Sequence, residues 1–135
     1  MIDDIKTQIA KKLKEIYPGY KVYDEDIPQN FHKPSFLLEL TDFSYEKRLS
    51  NVFNGDIMFV VTLIVDEVDQ NSKCSMVMSE LARQFDYVGD YRVLNREFTI
   101  TDGVLKMAFS IKYSEMKETD IIYMKEITSK LGLGE

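Results

Sequence analysis

The strongest hydrophobic pattern in the chain is the run between Asp56 and Asp66. Eight of the nine intervening residues are apolar, and Thr62 supplies the only hydroxyl. β-Branched residues dominate the run, and its length suits a strand better than a helix. Successive strand side chains point to opposite faces. Ile57, Phe59, Val61, Leu63 and Val65 therefore share one face, all large and apolar, and are assigned to the main core. Met58, Val60, Thr62 and Ile64 share the other. That second face is smaller but still mostly apolar, so the strand has no fully wet side. A second layer of the same chain, or another subunit, is required to cover it.

The rest of the chain arranges itself around this strand. Ile2, Ile5, Ile9, Leu13 and Ile16 recur at three- and four-residue spacing and predict an amphipathic helix over 2–16. Asp3 and Asp4 near its start and lysines later suit the helix dipole, and Pro18-Gly19 ends it. Tyr20–Tyr23 predicts a short strand, Ile27–Pro34 a loop, and Ser35–Leu40 a strand with Phe36, Leu38 and Leu40 on one face. Thr41–Ser44 reads as a turn. Tyr45–Phe53 fits both a helix and a strand period; Asn54-Gly55 is a strong hairpin signal, so it is read as a polar strand paired to the organising one. A second amphipathic helix is predicted over 72–87, with Asp69, Asn71 or Ser72 as its cap and Gly89 as its stop. Its stripe is Cys74, Val77, Met78, Leu81, Ala82 and Phe85. Arg92–Thr101 and Val104–Tyr113 flank Asp102-Gly103, a second hairpin signal. Thr119–Leu131 suits a weak helix or a further strand, and 132–135 a frayed tail. The sum is one α+β domain over 1–135, with an antiparallel or mixed β-sheet and two main helices packed on one face.

Composition narrows the chemistry. No apolar run reaches the length of a membrane helix, and the acidic N-terminus offers no secretory signal, so synthesis and folding in a cytoplasm are expected. The net charge of −6 argues against a protein that grips nucleic-acid phosphates. The only cysteine, Cys74, lies on a helical stripe and is assigned to the core. The only histidine, His32, sits in a Pro-bounded loop with no nucleophile marked beside it, and is read as solvated. Asp24-Glu25-Asp26 and the Asp66, Glu67, Asp69 group are the densest acidic clusters. They lack the spacing of a calcium loop and are read as solvated edges. No cofactor and no metal are expected. An aromatic-rich small domain without a basic platform fits protein interaction better than catalysis.

One stretch goes further. Tyr23, Glu25, Gln29, Phe31, Pro34 and Phe36, in the run Tyr23-Asp24-Glu25-Asp26-Ile27-Pro28-Gln29-Asn30-Phe31-His32-Lys33-Pro34-Ser35-Phe36-Leu37, follow a pattern that resembles small tail-terminator proteins. These occur in tailed phages, prophages and phage-tail-like particles of Firmicutes. The resemblance spans the order of elements over most of the chain, while its specific motif covers about twenty residues. It implies a structural protein and not an enzyme. Such proteins form a hexameric ring that caps the tail tube protein, stops tube growth and meets the neck or head connector. In contractile tails the ring also meets the sheath protein. The implied location is the head-proximal end of a virion tail or bacteriocin-like particle, assembled in the host cytoplasm. The implied partners are further copies of the chain and these tail components, with DNA passing through unbound and no membrane. Met58, Val60, Thr62 and Ile64 become candidates for the subunit interface. Asp24, Glu25, Asp26, Asp66, Glu67 and Asp69 become candidates for a channel wall. A connector or neck ring protein is the alternative, and a small carboxylate-based metal or enzyme domain a more distant one.

Overall fold

The computed structural model describes residues 2–47, 52–66 and 70–116. Helix α1 spans Ile2–Ile16 and buries Ile5, Ile9 and Leu13. Strands β1 (Lys21–Asp24), β2 (Ser35–Lys47) and β3 (Val52–Ile64) follow, then helix α2 (Gln70–Gln84). Two short strands, β4 (Tyr87–Val88) and β5 (Tyr91–Arg92), precede β6 (Leu94–Thr101) and β7 (Val104–Met116). The main sheet has the order β1-β2-β3-β7-β6, and β4-β5 is a separate hairpin. Only β1 runs parallel to its neighbour, so the sheet is mixed, as expected from the sequence.

The organising strand is central. It pairs with β2 on one side and β7 on the other. Ile57, Phe59, Val61, Leu63 and Val65 are all buried, facing the same core as Phe36 and Leu38 of β2 and Leu105, Met107, Phe109 and Ile111 of β7. Cys74, Val77 and Leu81 of α2 join that core, with Phe85 just beyond the helix. Phe109 sits between Phe59, stacked at 5.7 Å, and Phe85, edge-on at 5.2 Å. At the other end Tyr17, Tyr20 and Phe36 form a triangle with ring centroids 4.9 to 5.5 Å apart. Burial, with a smaller contribution from the Glu80 carboxylate, holds the Tyr17 phenol above its ordinary range.

Four local expectations are corrected. Thr41–Ser44 is not a turn: β2 continues through it, with a bulge between Leu40 and Asp42. The bulge inserts one residue, so the core-side parity passes from Phe36, Leu38 and Leu40 to Phe43 and Tyr45. Asn54-Gly55 is not a hairpin turn either. It lies inside β3, opposite Glu46 and Tyr45, and Gly55 does not have the positive φ such a turn requires. A Cβ on Gly55 would stand 3.2 Å from Phe43 Cε1, so close packing explains this glycine. Third, α2 ends at Gln84, and Gly89 belongs to the β4–β5 hairpin at φ 60°. Asn71 and Ser72 lie within α2 and do not cap it; Asp69 lies outside the described residues. Fourth, Ala82 is exposed. By contrast, Asp102-Gly103 makes the expected turn, with φ 52° and 74°. Glu67 and the whole 119–135 segment lie outside the described residues.

The end of α2 is held from the sheet. Arg96 of β6 donates from Nη1 to the carbonyls of Leu81, Ala82 and Phe85 at 3.0 to 3.2 Å, and pairs with Asp86 at 3.0 Å. Helix C-termini leave carbonyls without intrahelical donors and carry partial negative charge, and a guanidinium answers both.

Candidate functional site

The sequence motif folds into the sheet edge. Tyr23 of β1 lies on the face away from the helices, and its hydroxyl accepts a 2.8 Å hydrogen bond from the His32 backbone N–H. That bond ties the 27–34 loop to the sheet. Phe31 is half-buried with the Lys33 ammonium 5.4 Å over its ring, Gln29 is exposed, and the Lys33–Pro34 peptide is cis. Phe36 is fully buried. His32 itself is exposed.

Glu25 does the most structural work in the motif. It sits at φ 65°, a left-handed conformation that a side chain disfavours. Its backbone N–H continues the β1–β2 ladder to the Leu38 carbonyl at 2.9 Å. Its carboxylate accepts from the Leu40 backbone N–H and from Lys6 Nζ, both at 2.8 Å. Lys6 also reaches Asp24 at 2.8 Å. The carboxylate thus replaces the strand partner that Leu40 would otherwise lack, and fastens α1 to the edge of the sheet. The Lys6 hydrogen bond first, then that from Leu40, hold the Glu25 carboxyl below its ordinary value, against a small opposing effect of burial. Burial works against the Lys6 charge, but the bonds and charges of Asp24 and Glu25 outweigh it and raise its pKa.

Six acids were assigned to a channel wall. Asp24 and Glu25 meet at Lys6, on the side of the sheet that carries α1. Asp26 and Asp66 are exposed, while Glu67 and Asp69 lie outside the described residues. No group of three or more metal-ligating side chains occurs among the described residues. Cys74 is buried, its thiol donating to the Gly103 carbonyl at 3.3 Å. No described helix is long and apolar enough to cross a membrane.

The outer face of the sheet, opposite the helices, carries the second set of β3 residues. Met58 is 41% exposed although it stands in the central strand, and Val60 and Ile64 are half-buried. Leu37 and Ala108, also half-buried, pair with Thr62 and Val60 on either side. Thr62 differs from its neighbours: it is buried, and its hydroxyl, like that of Ser35 nearby, has no hydrogen-bond partner among the described residues. The candidate site is therefore a surface of the sheet. Leu37, Met58, Val60, Ile64 and Ala108 share one side of a five-stranded sheet whose other side is filled by helices, interspersed there with Glu39, Asp42, Lys106 and Ser110.

Sequence reasoning missed a second surface, at the far end of the same sheet. Phe43 and Tyr45 are 38% and 41% exposed, with rings 5.6 Å apart. The parity break between Leu40 and Phe43 was the available signal, and reading Thr41–Ser44 as a turn concealed it.

A mixed five-stranded sheet with two helices packed on one face defines an α+β protein. A family profile described as phage tail terminator protein matches residues 4–122, and the chain belongs to that family. The family is one of structural proteins of the phage tail, so the chain is a tail component that meets other tail components. No curated protein matches the chain.

Proposed function

We propose that copies of this chain close into a ring that sits on the last ring of tail-tube subunits, ends tube growth and presents the surface on which the neck is built. In a contractile tail the same ring would meet the last ring of sheath. Six copies is the number that the family resemblance implies. The observation that carries the reading is Met58: a large apolar side chain, 41% exposed, at the middle of the central strand, between Asp42 and Ser110, with Val60 and Ile64 further along the same face. A ring needs contacts in which one patch meets a different one, and an apolar sheet face supplies one of the two. The net charge of −6 suits a ring through which DNA passes, since like charges repel near the wall. With Asp24 and Glu25 sharing Lys6, that role falls to exposed acids such as Asp26 and Asp66.

The test is assembly on tubes. Purified protein is added to polymerising tube subunits, and the tubes are imaged and their lengths measured. The expected result is a ring at one end only and growth that stops there. Met58→Asp should keep the fold and lose the ring. If the wild-type protein leaves tube growth unchanged and binds no tube end, the proposal fails. A position against the portal rather than the tube would make it a neck protein.

A further inference from the structure

Strand β1 is an outer edge of the sheet. β2 pairs with one side of it, and among the described residues no strand pairs with the other. The ladder fixes which backbone groups look outward. Glu25 donates its N–H to Leu38, so Lys21, Tyr23 and Glu25 face β2, while Val22 and Asp24 face away from it. The Asp24 carbonyl accepts from the Asp26 N–H at 2.8 Å. That leaves the N–H and C=O of Val22 and the N–H of Asp24 at the open edge. The same two residues carry their side chains on the helix side, in register with the buried Phe36 and Leu38. Between them and the flank of α1 lies an open hollow of about 300 Å³. Ala10, Val22 and Leu38 give it apolar lining, and Asp3, Lys6, Thr7 and Asp24 give it polar lining. Lys6 is already held by Asp24 and Glu25 at 2.8 Å. Asp3 and Asp26 are exposed and form no ion pair among the described residues, so the edge is acidic overall.

We infer that this edge takes an extended basic segment of a different protein, added as a further strand, with an arginine or lysine side chain in the hollow. The residue opposite Val22 exchanges both main-chain bonds with it, as in the hydrogen-bonded pair of an antiparallel ladder. Opposite residues share a face, so that residue's side chain points into the hollow. Its methylene stem lies along the apolar lining, and its charged tip meets Asp3 and Asp24. Main-chain bonds then supply affinity and the hollow supplies selectivity, which is the division of labour in strand addition. The edge is also guarded. β1 has only four residues, and short, charged edge strands resist indiscriminate pairing. A neutral or acidic strand would bury or crowd the carboxylates without compensation, whereas a basic one neutralises them. Charge therefore names the occupant. This contact needs a single copy of the chain and holds whether or not copies close into a ring.

Titration of the full chain with a designed peptide, followed by amide NMR shifts, tests this. The probe is a capped peptide of alternating threonine and valine with arginine at its centre. One control has glutamate at the centre, and a second carries an N-methyl group on the arginine amide. The arginine peptide should shift the amides of Thr7, Val22 and Asp24 and bind at least tenfold more tightly than either control. Asp3→Asn, which removes a carboxylate, and Ala10→Leu, which fills the hollow, should each weaken it several-fold, with thermal melts showing that both variants are folded. Equal affinity for the arginine and glutamate peptides would overturn the inference. So would unchanged binding of the N-methyl peptide, which cannot pair with Val22. Shifts confined to the other edge, at Phe98 and Ile100 of β6, or no shifts at millimolar peptide, would overturn it as well.

Discussion

Glu25 offers the most exacting check on the physical account of the motif. Replacing it with alanine removes the carboxylate that accepts from Leu40 and Lys6 but keeps a Cβ at φ 65°. The Leu40 bond is worth about 1 kcal/mol net, because water can replace it in part. The side chain is 43% exposed, so screening reduces the Lys6 pair to about 0.5 kcal/mol. Glu25→Ala should therefore lose about 1.5 kcal/mol, or about 4 to 5 °C in Tm for a domain of this size. Glu25→Gly loses the same bonds but relieves the left-handed strain, which recovers about 1 kcal/mol, so its Tm should fall by only about 1 to 2 °C. The assay is thermal unfolding followed by circular dichroism at pH 7, repeated with acid. The native carboxyl sits below its ordinary 4.5, so its contribution is complete above about that pH and disappears as pH falls through the lower native value. Glu25→Gln should lack this part of the acid limb. If glycine destabilises as much as alanine, the strain argument is wrong. If alanine changes nothing, the carboxylate does not hold α1 to the sheet.

Three further outcomes are expected. Arg96→Met removes a charged donor from three carbonyls at the end of α2 and should cost about 2 kcal/mol, read as a lowered denaturant midpoint. Thr62→Val replaces a buried hydroxyl that lacks a partner among the described residues with a methyl group of nearly the same shape, and should be neutral or raise Tm by a few degrees; a clear loss would mean that the hydroxyl is hydrogen-bonded. Cys74 should ignore a thiol reagent in the native protein and react with one equivalent on unfolding, because the thiol is buried and bonded to Gly103. Rapid native labelling would contradict the packing of α2.

The elements that announced themselves in the sequence were those whose period survives without a partner. The α1 stripe at Ile5, Ile9 and Leu13, and the alternation from Ile57 to Val65, are local consequences of 3.6- and 2-residue repeats. Asp102-Gly103 was readable because a tight hairpin demands positive φ at its centre. Asn54-Gly55 misled for the complementary reason. The same dipeptide type lies inside a strand, since its glycine serves the Phe43 ring across the sheet and not a turn. No single-strand pattern contains that neighbour.

The family motif was likewise legible as letters, whereas its physics was not. Nothing local says that the carboxylate of Glu25 would stand in for a missing strand and clamp a lysine nineteen residues back in the chain. The bulge after Leu40 is similar. The sequence shows only a break in alternation, and the register with β3 turns that break into a continuous strand carrying Phe43 and Tyr45. By itself the sequence determined the periodic elements, the large core face of β3 and the mostly apolar character of its second face. The tertiary structure decided which residues of that second face stay exposed, and that β2 runs on through its bulge as one strand in register with β3. Both depend on which strands lie side by side, a property of long-range pairing that short-range periodicity does not encode.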